Sequence, residues 1–252
     1  VALTETLVTV TTWNGTLPNP IAKGDLLIIT AQGPDLGSNW TVTDNSAGGP
    51  LAWHKDTSQD WNTIGCSQAI YHVVAPAALA SLTVTLTRNL AGQTYATLGL
   101  WDYQHQGTLG FDVGSGGTAG SGTAASCGAL SLAGTDELVV AHCGSFASGP
   151  TFTAGAGFTL RGQSNNPAGI SFGVADARGI SGSITPAMTI SASASWGMIA
   201  GSFLMTSSGA SPGVWLGDSV SPYPARRHVI PCNPLDVREY LCPSRHRRTR
   251  RR

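Results

Sequence analysis

Charge is scarce in this chain: Asp, Glu, Lys and Arg make up 11% of its 252 residues. Stretches rich in Glu, Lys, Leu and Ala, the material of long helices, are missing. Both shortages argue against a helical protein and for an all-β one with many turns. Long apolar runs are missing too. The longest, near Leu138–Ala141 and Met198–Met205, are far too short to span a bilayer, so no membrane span is expected. Val1–Val10 has neither a basic start nor a continuous apolar core, so no signal peptide is expected. The five cysteines are odd in number and too sparse for a disulfide framework. Cys66, Cys127 and Cys143 fall in strand-like stretches and read as buried, reduced thiols.

Hydrophobic residues, 41% of the chain, come in strand-length runs, and glycine, 32 residues, separates them. The most strongly patterned stretch is Gly24-Asp-Leu-Leu-Ile-Ile-Thr-Ala-Gln32, closed by Gly33-Pro34, which reads as a buried central strand. Ser81–Thr87 alternates Leu82, Val84 and Leu86 with three threonines, the pattern of a half-buried antiparallel strand. Further strands are expected over 4–12, 66–74, 94–104, 127–132, 137–143, 157–163, 170–177, 188–192 and 196–205. Residues 40–57 read as a hairpin, Trp13-Asn-Gly15 as a turn and Pro76–Leu79 as one helical turn. The Gly/Ser-rich stretch 107–126 reads as a flexible crossing loop or a linker between halves; it lacks the lysine of a phosphate-binding loop. The whole predicts an antiparallel, jelly-roll-like β-sandwich of about a dozen strands over residues 1–205.

The net charge of zero hides a division. Residues 1–225 carry five basic and twelve acidic residues, a net of −7; residues 226–252 carry nine arginines against Asp236 and Glu239, a net of +7. Six prolines between Pro212 and Pro243 stiffen the same region. Residues 206–252 therefore read as an extended basic arm that docks on an anionic surface, with Arg226, Arg227, Arg245, Arg247, Arg248, Arg250, Arg251 and Arg252 as its contacts. Nucleic acid is one target for such an arm. The terminal arginines have no aromatic residues among them and no nucleic-acid-binding fold beside them, which favours protein partners, including the acidic bodies of neighbouring copies.

The motifs GDLLIITAQ, VTDNSAGG, YHVV, LTVTLTRN, FTAGAGFTLR and SASASWGMIAGSFLM stand in that order over residues 1–205. This succession resembles β-sandwich domains of actinobacterial phage tail and virion proteins and of some bacterial surface proteins. The resemblance implies a module for display, adhesion or assembly, located in the virion or at a cell surface, with other virion proteins and copies of itself as partners.

Three candidate chemistries remain. Trp40, Trp53 and Trp61 lie near Asp35, Asp44, Asp56 and Asp60, a combination that suits a glycan stacked on aromatic rings or a Ca²⁺ held by loop oxygens. In the arm, His228-x3-Cys232-x9-Cys242-x3-His246 offers four zinc ligands, although the order is not that of a standard finger; a Cys232–Cys242 disulfide or two unlinked thiols are the alternatives. Gly217-Asp-Ser219 matches the nucleophile block of GDS-type esterases, but no Asp-x-x-His follows it. Asp136 and Glu137 are sequence neighbours, and on a strand they point to opposite faces, which excludes a glycosidase pair. No enzyme is expected. The leading expectation is a virion structural subunit held by its arm; the alternative is a carbohydrate-binding adhesin.

Overall fold

The computed structural model describes residues 2–5, 12–34, 40–61, 66–88, 97–103, 109–147, 149–165 and 170–205. The chain divides into units Val1–Ser211 and Pro212–Arg252, and every described residue belongs to the first. Among them are seventeen strands and no helix: β1 (Ala2–Glu5), β2 (Thr12–Leu17), β3 (Leu26–Pro34), β4 (Trp40–Asp44), β5 (His54–Trp61), β6 (Cys66–Val74), β7 (Leu82–Arg88), β8 (Thr97–Tyr103), β9 (Leu109–Gly114), β10 (Thr118–Ser126), β11 (Leu130–Ser131), β12 (Glu137–Ser145), β13 (Phe152–Ala154), β14 (Thr159–Asn165), β15 (Ser171–Ile180), β16 (Ser183–Ile184) and β17 (Ala187–Met205). All pairings are antiparallel. The protein is an all-β sandwich, as its sequence predicts.

A five-stranded sheet has the order β1-β8-β3-β6-β5, and a three-stranded sheet, β2-β7-β4, covers its outer face. A seven-stranded sheet runs β10-β17-β12-β15-β14, with β13 and β9 also paired to β17; β11 and β16 form a small fourth sheet. Three apolar layers lie between and upon these sheets. Leu27 and Ile29 of β3 point into the outer layer with Leu82, Val84 and Leu86. Leu26 and Ile28 point the other way, into an inner layer shared with Leu138, Val140, Phe172 and Ile199 of the larger sheet. The third layer, on the far side of β12, holds Val139, Cys143, Phe152, Met188 and Trp196. Strand β3 is therefore covered on both faces. That explains its unbroken apolar run: Leu26, Leu27, Ile28 and Ile29 are fully buried, each contributing about 1.5–3 kcal/mol.

Several local expectations are corrected. Trp13-Asn-Gly15 is not a turn but the body of β2, in register with β7. Residues 40–57 are not a hairpin, because β4 pairs with β7 and β5 with β6, in different sheets. Residues 76–79 form no helical turn; Leu79 instead exchanges two backbone hydrogen bonds with Ile21, at 2.8 and 3.0 Å. The Gly/Ser-rich stretch 107–126 is not a crossing loop, since it supplies β9 and β10.

The composition of β10 has a steric cause. A Cβ at Gly120 would lie 2.6 Å from Cζ2 of Trp196, and one at Gly117, whose φ is +72°, would lie 2.6 Å from the Trp61 ring. Small residues are what the strand needs to lie against these indoles, although they read locally as a linker. Gly120→Val should therefore cost about 1–3 kcal/mol in urea unfolding, the usual penalty of overpacking. Gly116→Ala is the internal control, because a Cβ there meets nothing within 4 Å, and its midpoint should stay near that of the parent.

Candidate functional site

The zinc candidates His228, Cys232, Cys242 and His246, the eight arginines expected as the arm's contacts and Ser219 lie outside the described residues. The three tryptophans lie within them, and they do not form a platform. Trp40 is buried in the outer layer with Trp53 packed beside it, whereas Trp61 is buried in the inner layer. Trp53 Nε1 donates to Asp44 Oδ2 at 2.9 Å, and Trp61 Nε1 donates to Gln68 Oε1 at 3.2 Å. Glycan stacking requires open ring faces on one surface. These rings occupy two separate cores, so the expected platform is replaced by packing.

Of the Ca²⁺ candidates, Asp35 lies outside the described residues, and among the described residues no group of three His, Cys, Asp or Glu is arranged to hold a metal. Asp44 instead organises the loop after β4. It accepts hydrogen bonds from Ser46 N, Ser46 Oγ, Leu51 N and Trp53 Nε1. Burial alone would raise its pKa, but these four donors outweigh burial and hold it below the usual carboxylate value. Asp136 is exposed and Glu137 fully buried, so the two do not face one bond.

The structure does assemble a polar cluster that sequence reading missed. Where the two large sheets meet, Gln68 Nε2 donates to Gln32 Oε1 and to Gly197 O, both at 3.0 Å. His142 Nε2 lies 3.1 Å from the same Gln32 oxygen. That oxygen is an acceptor only, so the proton of the neutral imidazole sits on Nε2. Nδ1 is then a bare acceptor with no partner among the described residues. The ring stacks on Phe172, centroids 5.6 Å apart and 2° from parallel. His142 is fully buried, and burial pushes its pKa down to about 3. The signal available in sequence was a histidine inside an otherwise apolar strand.

Two ion pairs flank this cluster. His72 Nδ1 meets Asp56 Oδ1 at 2.6 Å, with His54 stacked on the imidazole at 5.5 Å and Phe203 against its edge at 5.5 Å. Burial raises the Asp56 pKa, and His72 acts against that rise. Arg161 Nε donates to Asp176 Oδ1 at 2.7 Å, and the neighbouring Arg178 lies 5.1 Å above the Tyr103 ring. An Asp–His pair is part of a nucleophilic triad, but among the described residues no hydroxyl or thiol hydrogen-bonds the His72 ring. What these groups do in the structure is tie strands together across the sheets.

Among the described side chains, carboxylates are mostly withdrawn from solvent. Asp25, Glu137 and Asp176 are buried, Asp44, Asp56, Asp60, Asp102 and Asp112 are half-buried, and Asp136 is exposed. Lys23, Lys55 and Arg178 are all exposed. The carboxylates are consumed as acceptors for loop N–H groups, which a turn-rich fold has in excess. No family model, curated protein or solved structure matches the chain.

His142 generates a pH prediction. The unfolded ring takes up a proton near its ordinary value of 6.5, and the folded ring does so only near 3. Stability that is full above about pH 6.5 is therefore lost as pH falls toward 3, by about 2–3 kcal/mol at pH 4.5. Asp102, raised to about 6 by burial and by Asp25, contributes in the opposite sense. The quantity to measure is thus the difference between the parent and His142→Gln, from urea unfolding at pH 7.5 and 4.5. The variant should lose less stability on acidification by that amount; equal losses would exclude the buried neutral ring. Separately, Asp44→Ala should cost about 2–3 kcal/mol, since it strips four donors of their acceptor.

Proposed function

We propose that this protein is a non-enzymatic structural subunit of a phage virion, a minor tail or capsid-decorating component. Its sandwich is displayed, and residues 206–252 fasten it to the particle. The observation that carries this reading is the separation of roles along the chain. Residues 226–252 hold nine arginines against two carboxylates, whereas the body turns most of its carboxylates inward. An arginine-rich segment beside a body whose described carboxylates are mostly buried or half-buried finds its partner in the carboxylates or phosphates of another particle component. The ordered motif resemblance over residues 1–205 supports the virion setting.

The adhesin reading has lost its tryptophan platform. The outer sheet of β2, β7 and β4 still presents hydroxyls, some of which bond to neighbouring side chains of the same sheet. Thr16 and Thr83 hydroxyls meet at 3.0 Å, and Thr85 Oγ1 donates to Asn14 Oδ1 at 2.7 Å.

Deleting residues 210–252 should leave a sandwich with the parent's circular dichroism and melting behaviour that no longer co-purifies with particles. Incorporation at the parent's level would refute the anchoring role. Binding by the intact chain should also weaken as salt rises, because exposed charge contacts are screened over about 8–10 Å at physiological ionic strength.

A further inference from the structure

The two large sheets have the same construction. Strands β8-β3-β6-β5 of the first correspond in order to β17-β12-β15-β14 of the second, and β1 sits beside β8 as β9 sits beside β17. The small sheet β2-β7-β4 corresponds to the end of β10, the first part of β17, and β13, since residues 187–189 of β17 pair with β10 and residues 188–190 with β13; on the other side of a register shift, β10 also pairs with residues 194–198. The Ile21–Leu79 bridge corresponds to the Leu130–Ile184 pair of β11 and β16. The second half differs chiefly in running its counterparts of β7 and β8 together as one long strand.

The details agree residue by residue. Matching Leu26 to Leu138, both in the inner layer, places the buried acids Asp25 and Glu137 at one position. Each accepts a hydrogen bond from the backbone N–H three residues earlier, Ala22 at 2.7 Å and Gly134 at 2.6 Å. Ile28 pairs with His72, and its counterpart Val140 pairs with Asp176. Each edge strand carries a bulge, one between Lys55 and Thr57 and one between Leu160 and Gly162. In each, the extra residue forms the ion pair: Asp56 with His72, Arg161 with Asp176. The position is shared, and the sign of its charge is reversed.

Contacts between the halves are reciprocal. Leu26 pairs with Tyr103 and Leu138 with Phe203, so those aromatics are counterparts. His72 of the first half touches Phe203 of the second, and Arg178, two residues beyond Asp176, the counterpart of His72, lies over Tyr103 of the first, so corresponding strands, though not corresponding residues, meet the paired aromatics. Six residues beyond Leu26 and Leu138 stand Gln32 and Gly144, and the Gln32 amide occupies the space that a Cβ on Gly144 would need. A residue that touches its own counterpart marks a two-fold axis, and reciprocal contacts are the mark of an isologous interface.

We propose that the body is a fused homodimer. Residues 2–103 and 109–205 are two copies of one sandwich unit, joined in tandem about an internal two-fold axis at Gln32 and Gly144. The inner face of each half is a surface that fits a second copy of the same unit. The outer sheets, related by the same axis, then give the body two like faces on opposite sides, both rich in Thr and Ser.

Exchanging the two ion pairs within the full-length chain tests this. The single variants Asp56→Arg and Arg161→Asp each lose their partner and should lower the urea midpoint. The grafts Asp56→Arg/His72→Asp and Arg161→Asp/Asp176→His install in each half the pair native to the other. If the positions are counterparts, at least one graft should recover half or more of the midpoint lost by its single variant. If both doubles are no more stable than their singles, or fail to fold where the singles fold, the positions are not equivalent and the duplication is refuted.

Discussion

The body depends on two glycines that leave room for two large side chains. At Gly144 the backbone of β12 is bare, and the Gln32 amide of β3 rests on it; at Gly197 the backbone of β17 is bare, and the Trp61 indole of β5 rests there. Sheets packed face to face stand about 10 Å apart, a gap that ordinary apolar side chains fill from both sides. Here one side contributes nothing at two points, and the other contributes a glutamine and a tryptophan. Their polar ends, with Gln68 and His142, then have to find partners inside the protein, because no water competes for them. The contact therefore fixes register in a way that a purely apolar layer does not, and the leucines, isoleucines and phenylalanines around it supply most of the free energy.

The same economy governs charge. A chain with few ionisable groups commits several of its carboxylates to its own loops and bulges: Asp25, Asp44 and Glu137 to backbone or side-chain N–H groups, Asp56 and Asp176 to ion pairs. Buried pairs of this kind give positional definition more than net stability. The positive charge of the chain is concentrated instead in the nine arginines of residues 226–252, which is why attachment is proposed for the arm rather than for the sandwich.

Much of this fold was legible in sequence. The apolar run from Leu26 to Ala31 and the alternation from Leu82 to Thr87 state their burial directly, and both strands stand where they were expected. Strand β10 was illegible in part because Gly120 answers to Trp196, about 76 residues away in sequence, and not to any local preference. The supposed hairpin over 40–57 failed because turn residues mark where a chain reverses without saying which strand it then joins. The tryptophans misled for a related reason: an indole at a loop and an indole in a core look alike until the layer above it is known. The duplication was hidden by drift. Across β3 and β12, Leu26 and Leu138 match, but Thr30 faces His142 and Gln32 faces Gly144 as counterparts. What persisted was the pattern of burial, bulge and pairing, which emerges only when the strands are ordered in space.

If the inner contact is what makes one body of the two large sheets, they open together. Native-state amide hydrogen exchange of the full chain, followed across low concentrations of denaturant, measures this directly. The amides of residues 26–32 and those of residues 138–144 should converge on a single opening free energy, equal to that of global unfolding. Two distinct opening energies, with one set exchanging while the other stays protected, would show that the sheets are held separately and would contradict the account.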